Sequence, residues 1–167
     1  MGDLHLAYLS LGSNIQPEIN LVKGIQRLKH HGKVEKISSA WESKSVGAEG
    51  PNYLNACVSF LTPLLHTALK EQVLLPIELE LERRRSENRF APRTMDIDIV
   101  LFDGHSCDDK YWEQAFVVVP LAEIYPDFQN PITRETTLET ATRLRSVIWM
   151  EARREVLSQF NGSSTTS

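Results

Sequence analysis

Residues 94–102 read TMDIDIVLF. Apolar and polar side chains alternate through the first half. In an extended chain this puts Met95, Ile97, Ile99 and Leu101 on one face and Asp96 and Asp98 on the other. The segment therefore predicts a strand with one face suited to a core and a carboxylate pair on the opposite face. Immediately before it, ERRRSENRFAPR (82–93) carries Arg83, Arg84, Arg85, Arg89 and Arg93, five of the 18 basic residues in the chain. A concentration of guanidinium groups beside paired carboxylates suits a small polyanion bound with a divalent cation.

Working outward, Leu65, Leu69, Val73, Ile77 and Leu81 recur at helical spacing, and Pro76 predicts a kink because it lacks a backbone donor. Tyr53 to Leu61 reads as a strand, preceded by the loop SKSVGAEGPN and by a second strand over Val34 to Trp41. At the N-terminus, Leu4 to Leu11 reads as a buried strand ending at Gly12-Ser13-Asn14. A helix follows, opened by Pro17, written by Ile19, Val22, Ile25 and Leu28, and ending near Gly32. Past the Asp pair, Asp103 to Gln114 is polar and irregular, Phe116 to Val119 is a short β-branched run, and Leu138 to Phe160 has helical periodicity.

The order β-α-β-β-α-β predicts an α+β fold, a ferredoxin-like antiparallel sheet with helices packed on it, plus an extra C-terminal strand and helix. Residues 1–160 are expected to form one domain and 161–167 a disordered tail. Length, 41% hydrophobic content and 8 Pro among 167 residues fit one globular domain and exclude a collagen-like or broadly disordered chain. No apolar run is long enough for a membrane span, and the N-terminus lacks a secretion-signal pattern. Cys57 and Cys107 form neither a CxxC motif nor a zinc spacing, which agrees with a cytoplasmic protein. A net charge of −4 argues against a surface devoted to nucleic acid.

Two carboxylates on one strand face can share magnesium ions, which prefer oxygen ligands and retain positions for substrate phosphates. A bare D-x-D is also compatible with a solvent-facing strand, and the arginines with a solvated loop paired to Glu78, Glu80, Glu82 and Glu87. A polymerase-beta-type nucleotidyltransferase also joins a Gly-Ser turn to a D-x-D strand. Here more than 80 residues separate Gly12 from Asp96, which disfavours it.

These segments together resemble the 6-hydroxymethyl-7,8-dihydropterin pyrophosphokinases of folate biosynthesis. The matching stretches occur in order between residues 5 and 128: AYLSLGSN, ISSAWES, GPNYLNACV, IELELERRR, RFAPRTMDIDIVLF and FVVVPLAEIYPDF. The resemblance implies transfer of the β,γ-diphosphoryl group of ATP to the hydroxymethyl group of a reduced pterin, releasing AMP. It implies that Asp96 and Asp98 bind two magnesium ions and that Arg83 and Arg93 clamp phosphates. Arg85, Arg89, Glu78 and Ile99 would join the ATP site. For the pterin it implies Tyr53, Asn55, Phe116, Phe90 in place of a more usual Trp, and Ser43 and Val46 through their backbone. A monomer acting on small molecules, without nucleic acid or membrane, is expected.

Several positions depart from that pattern. Cys107, Asp108 and Gln114 stand where the family has Pro, His and Arg. Leu75 replaces a frequent Gln, Glu82 a Gly, and Lys44-Ser45 a proline pair. Asp108 and Asp109 would repel a triphosphate unless the loop folds otherwise and Lys110 or His105 substitutes. These changes raise the alternative of a weakened relative that binds pterin or nucleotide without efficient transfer.

Overall fold

The structure, a computed structural model, describes residues 2–45, 49–82 and 95–161. The chain runs β1 (His5–Ser13), α1 (Pro17–Lys29), β2 (Lys33–Ile37), β3 (Ala40–Ser43), β4 (Tyr53–Thr62), α2 (His66–Leu69), a π-helical turn (Lys70–Leu74) and α3 (Leu75–Glu82). It continues with β5 (Asp96–Phe102), β6 (His105–Ser106), a 3-10 turn (Asp109–Glu113), α4 (Ala115–Ile124), α5 (Thr137–Arg145), β7 (Met150–Arg153) and α6 (Ser158–Asn161). Every strand pairing is antiparallel. The sheet order is β6-β5-β1-β4-β3-β7, with β2 also on β4.

The fold is thus mixed α and β, with helices on an antiparallel sheet. One face carries Leu9, Leu11, Ile25, Leu28, Phe60, Leu69, Ile77, Met95, Ile97 and Ile99. These join the sheet to α1 and to the α2–α3 segment. The other carries Tyr8, Trp41, Cys57, Val100, Leu101, Trp112, Val118, Leu121 and Leu144, beneath α4 and α5. Burying apolar surface on both sides explains why the central strands have few polar residues.

Five readings of the sequence are revised. Leu101 does not share a face with Met95, Ile97 and Ile99. The pairing of β1 with β5 passes from Tyr8↔Leu101 to Leu9↔Ile99, so Val100 is an extra residue that reverses the alternation. The stretch expected as one strand over Val34 to Trp41 breaks at Ser38-Ser39, where the Ser38 hydroxyl accepts from Cys57 N at 2.9 Å. Phe116 to Val119, which the sequence reads as a short β-branched run, is helical. A fully buried apolar run carries no periodic signal to separate helix from strand, and contact with the sheet and α5 overrides β-branched propensity. Leu138 to Phe160 is not one helix, because Met150–Arg153 adds a strand to the edge at β3. Thus the extra strand lies here. Ile19, expected on the buried face of α1, is 51% exposed.

Pro76 acts through a π-helical turn just upstream. Leu75 N donates to Lys70 O, five residues back, which widens the helix before the proline ring. Asp103 and Gly104 both have positive φ, 48° and 80°, and make the tight turn between β5 and β6. A capping box between Thr136 and Glu139 starts α5. Among the described residues, no helix is long and apolar enough to cross a membrane.

Candidate active site

The bulge at Val100 leaves Asp96 and Asp98 on the α4 side of the sheet. Asp98 lies opposite Ser10, and Asp96 opposite Gly12. Gly12 in turn faces Asn55, and Asn55 faces Trp41. The register therefore aligns Asp96, Gly12, Asn55 and Trp41 in one row across four strands. Above it, Phe116 projects from the first turn of α4. Ser10, Gly12, Ser43, Lys44, Tyr53, Asn55, Asp96, Asp98 and Phe116 line a cavity of about 190 Å³. The sequence-predicted residues Ser43, Tyr53, Asn55, Asp96, Asp98 and Phe116 thus meet in one place.

Asn55 is buried, and its amide nitrogen donates to Trp41 O at 3.1 Å and to Ser43 Oγ at 2.8 Å. Both amide hydrogens are used within the protein, so Asn55 offers the cavity an acceptor, Oδ1, and no donor. Gly12 permits this arrangement. A Cβ there would come within 3.2 Å of Asn55 Oδ1 and 3.9 Å of Tyr53 Cδ2.

Glu78 reaches β5 from α3, and its Oε2 accepts the backbone N–H of Ile97 at 2.7 Å. Among the described residues this stretch of β5 pairs with β1 on one side only, and the carboxylate occupies the edge position between the aspartates. Burial pushes the Glu78 carboxyl up to about 7. The Ile97 hydrogen bond opposes this, while the charges of Asp96, Asp98 and Glu82 reinforce it. Burial likewise raises the Tyr111 hydroxyl to about 12, helped by the charges of Asp98, Asp108 and Cys107. The charges of Asp96 and Asp98 are thus felt at Glu78, and that of Asp98 at Tyr111 as well. Two carboxylates two residues apart on one strand face fit a magnesium ion that completes its shell with water and phosphate oxygens. Among the described residues there is no group of three or more His, Cys, Asp or Glu of the kind that encloses a metal by itself.

Ile99 is buried in the core on the opposite face, which leaves only its backbone for a ligand. Arg83, Arg85, Arg89, Phe90 and Arg93, and Val46 in the loop after β3, lie outside the described residues. After β6, Asp108 caps its own 3-10 turn, accepting from Lys110 N at 2.9 Å. Lys110 Nζ lies 3.8 Å from Asp108, and His105 Nδ1 contacts Asp103 O at 3.0 Å, so neither replaces a basic residue in the cavity wall. Sequence reasoning had not placed Ser10, Gly12 or Lys44 in this site. Gly12 carried a signal in the Gly-Ser-Asn turn, whereas Ser10 and Lys44 depend on strand register.

The family model described as 7,8-dihydro-6-hydroxymethylpterin-pyrophosphokinase matches residues 8–126. A Synechocystis protein named 2-amino-4-hydroxy-6-hydroxymethyldihydropteridine pyrophosphokinase is 34% identical over 158 residues, covering 81% of this chain and 74% of its own. A Bacillus subtilis protein of the same name is 35% identical over 152 residues, covering 84% and 90%. Among solved structures, wild-type Plasmodium falciparum HPPK-DHPS gives a TM-score of 0.66 at 11% identity. The match covers 96% of this chain and 46% of that one, so the chain spans about half the length of this structural relative, which supports the fold alone. By its matched family model and its relatives, this chain belongs to the 7,8-dihydro-6-hydroxymethylpterin-pyrophosphokinase family.

Proposed function

We propose that the chain is a pyrophosphokinase of folate biosynthesis that transfers the β,γ-diphosphoryl group of ATP to 6-hydroxymethyl-7,8-dihydropterin. Family membership supports the activity. The observation that carries the site assignment is a single cavity with paired carboxylates at one end and an aromatic, hydrogen-bonding wall at the other. We read the β5-β1-β4 order, with β2 and β3 on the far side of β4, as a ferredoxin-like βαββαβ core.

In this reading the pterin ring lies between Tyr53 and Phe116, whose faces suit a flat bicycle. Asn55 Oδ1 accepts from the N–H groups of the ring, which its own committed amide cannot do in reverse. Asp96 and Asp98 would hold magnesium, which supplies charge neutralisation for the phosphate chain. The hydroxymethyl oxygen attacks the β-phosphorus. A new O–P bond forms, the bond between the β-phosphorus and the oxygen bridging to the α-phosphate breaks, AMP departs with that oxygen, and the hydroxyl proton is lost. Glu78 holds β5 in place through Ile97 and keeps the aspartates in register. Arg83 and Arg93 would clamp the phosphates, with Arg85 and Arg89 beside them, and Phe90 and the Val46 backbone would complete the pterin wall. Displacement at phosphorus depends chiefly on such positioning and charge stabilisation.

We take the site to work in a monomer, in the cytoplasm, on small molecules alone. Incubation with ATP, magnesium and the reduced hydroxymethyl pterin should release AMP in proportion to the pterin consumed. Formation of ADP, or of AMP without pterin, would reject this function. No observation favours the weakened alternative raised by residues 107–114.

A further inference from the structure

The acceptor cavity is electrostatically unequal along its length. Asp96 stands on β5, and the register carries the row through Gly12 and Asn55 to Trp41 on β3. Three strand steps, about 14 Å, separate the aspartates from the β3 side of the site. Lys44 is the first residue after β3 and lines the cavity at that side. It also lines a neighbouring cavity of about 390 Å³ that shares Ser43 and Phe116 with the first. Among the described residues lining either cavity, Lys44 is the single cation, set against Asp96, Asp98 and Glu113. It is exposed and makes no ion pair among the described residues, so its ammonium group is not committed to the protein.

The following inference rests on the reading of the cavity as a pterin site. The oxygen that receives phosphate must lie at the aspartate end, so the far edge of the ring points toward β3. That edge carries N–H donors and one ring carbonyl oxygen. Asn55 Oδ1 can accept from the donors but cannot serve the carbonyl. A lysine ammonium has only donors. We propose that Lys44 donates to this carbonyl oxygen and is a determinant of acceptor specificity, favouring a ring with an oxo group over one with an amino group at the same position. Its aliphatic stem covers the ring edge while the charged head reaches the oxygen.

The test compares binding of 6-hydroxymethylpterin and its 2,4-diamino counterpart, which replaces that oxygen with an amino group, by calorimetry on the intact chain in the presence of magnesium and a non-hydrolysable ATP analogue. The wild type should prefer the oxo ring. Lys44→Met should lower the ratio of the two affinities about tenfold, the usual scale for a hydrogen bond to a charged group. Lys44→Arg should keep most of the preference, and Lys44→Gln should fall between, with thermal melts confirming that each variant is folded. An unchanged ratio in Lys44→Met overturns the role of Lys44 while pterin-dependent AMP release by the wild type leaves the pterin site intact. A wild type that binds neither ring overturns both.

Discussion

Glu78 Oε2 accepts the N–H of Ile97 at 2.7 Å, which ties α3 to the strand between the two aspartates. The carboxylate is partly buried, and the backbone donor it satisfies lies on the side of β5 that has no paired strand among the described residues. Glu78→Ala leaves that donor unpaired and is expected to cost about 1–3 kcal/mol in chemical denaturation. Glu78→Gln retains an acceptor and should recover most of that loss. Both variants should slow AMP formation, Ala more than Gln, because the carboxylate row loses its anchor.

Asp96 and Asp98 are not interchangeable with neutral isosteres. Asp96→Asn and Asp98→Asn should each reduce AMP release at least about a hundredfold, the scale of losing a charge-stabilising group at phosphoryl transfer. Thermal melts of both variants separate a loss of chemistry from a loss of fold. Chelation of magnesium should abolish AMP release in the wild type and be reversed by adding the metal back. Activity that persists in a chelator would contradict the assignment.

Gly12 tests the geometry of the acceptor wall. In Gly12→Ala the new methyl group meets Asn55 Oδ1 at 3.2 Å, and the amide cannot retreat without breaking its bonds to Trp41 and Ser43. The expected outcome is a pterin affinity about tenfold weaker and a stability loss of about 1–2 kcal/mol. Asn55→Ala should weaken the pterin at least as much. ATP-analogue binding measured alongside should change less, because Asn55 lies two strands from the aspartates.

Acid sensitivity has an identifiable source away from the site. Two hydrogen bonds from Arg143, with another from Thr140, hold Glu135 down to about 2. The folded state therefore binds this proton less readily than the unfolded chain, whose glutamate titrates near the ordinary value of 4.5. Stability from this pair is present above pH 4.5 and lost as the pH falls toward 2. Unfolding followed by circular dichroism should show a shallower acid limb for Glu135→Gln. An unchanged slope would show that the pair adds nothing.

A local pattern was enough to identify the strand at Asp96–Phe102, the carboxylate pair, the helix opened by Pro17 and the central strand from Tyr53, because each depends on the period of side chains along one segment. The ordered set of motifs also led to the family. The faces of Leu101 and the strand at Met150–Arg153 were not legible, since a bulge and an edge pairing are settled by another segment distant in sequence. The helix at Ala115–Ile124 was hidden for a related reason: burial on all sides erases the periodicity that distinguishes helix from strand.

The sequence by itself determined which chemistry was available: two carboxylates, an arginine-rich segment, and aromatic and amide groups suited to a flat heterocycle. Only the tertiary structure decided that Asn55 presents an acceptor alone, that Glu78 braces β5, and that Lys44 stands across the sheet from Asp96. Those properties depend on which hydrogen-bonding groups are already satisfied and on how far apart paired strands place their side chains. Both are consequences of long-range register, which no single stretch of chain encodes.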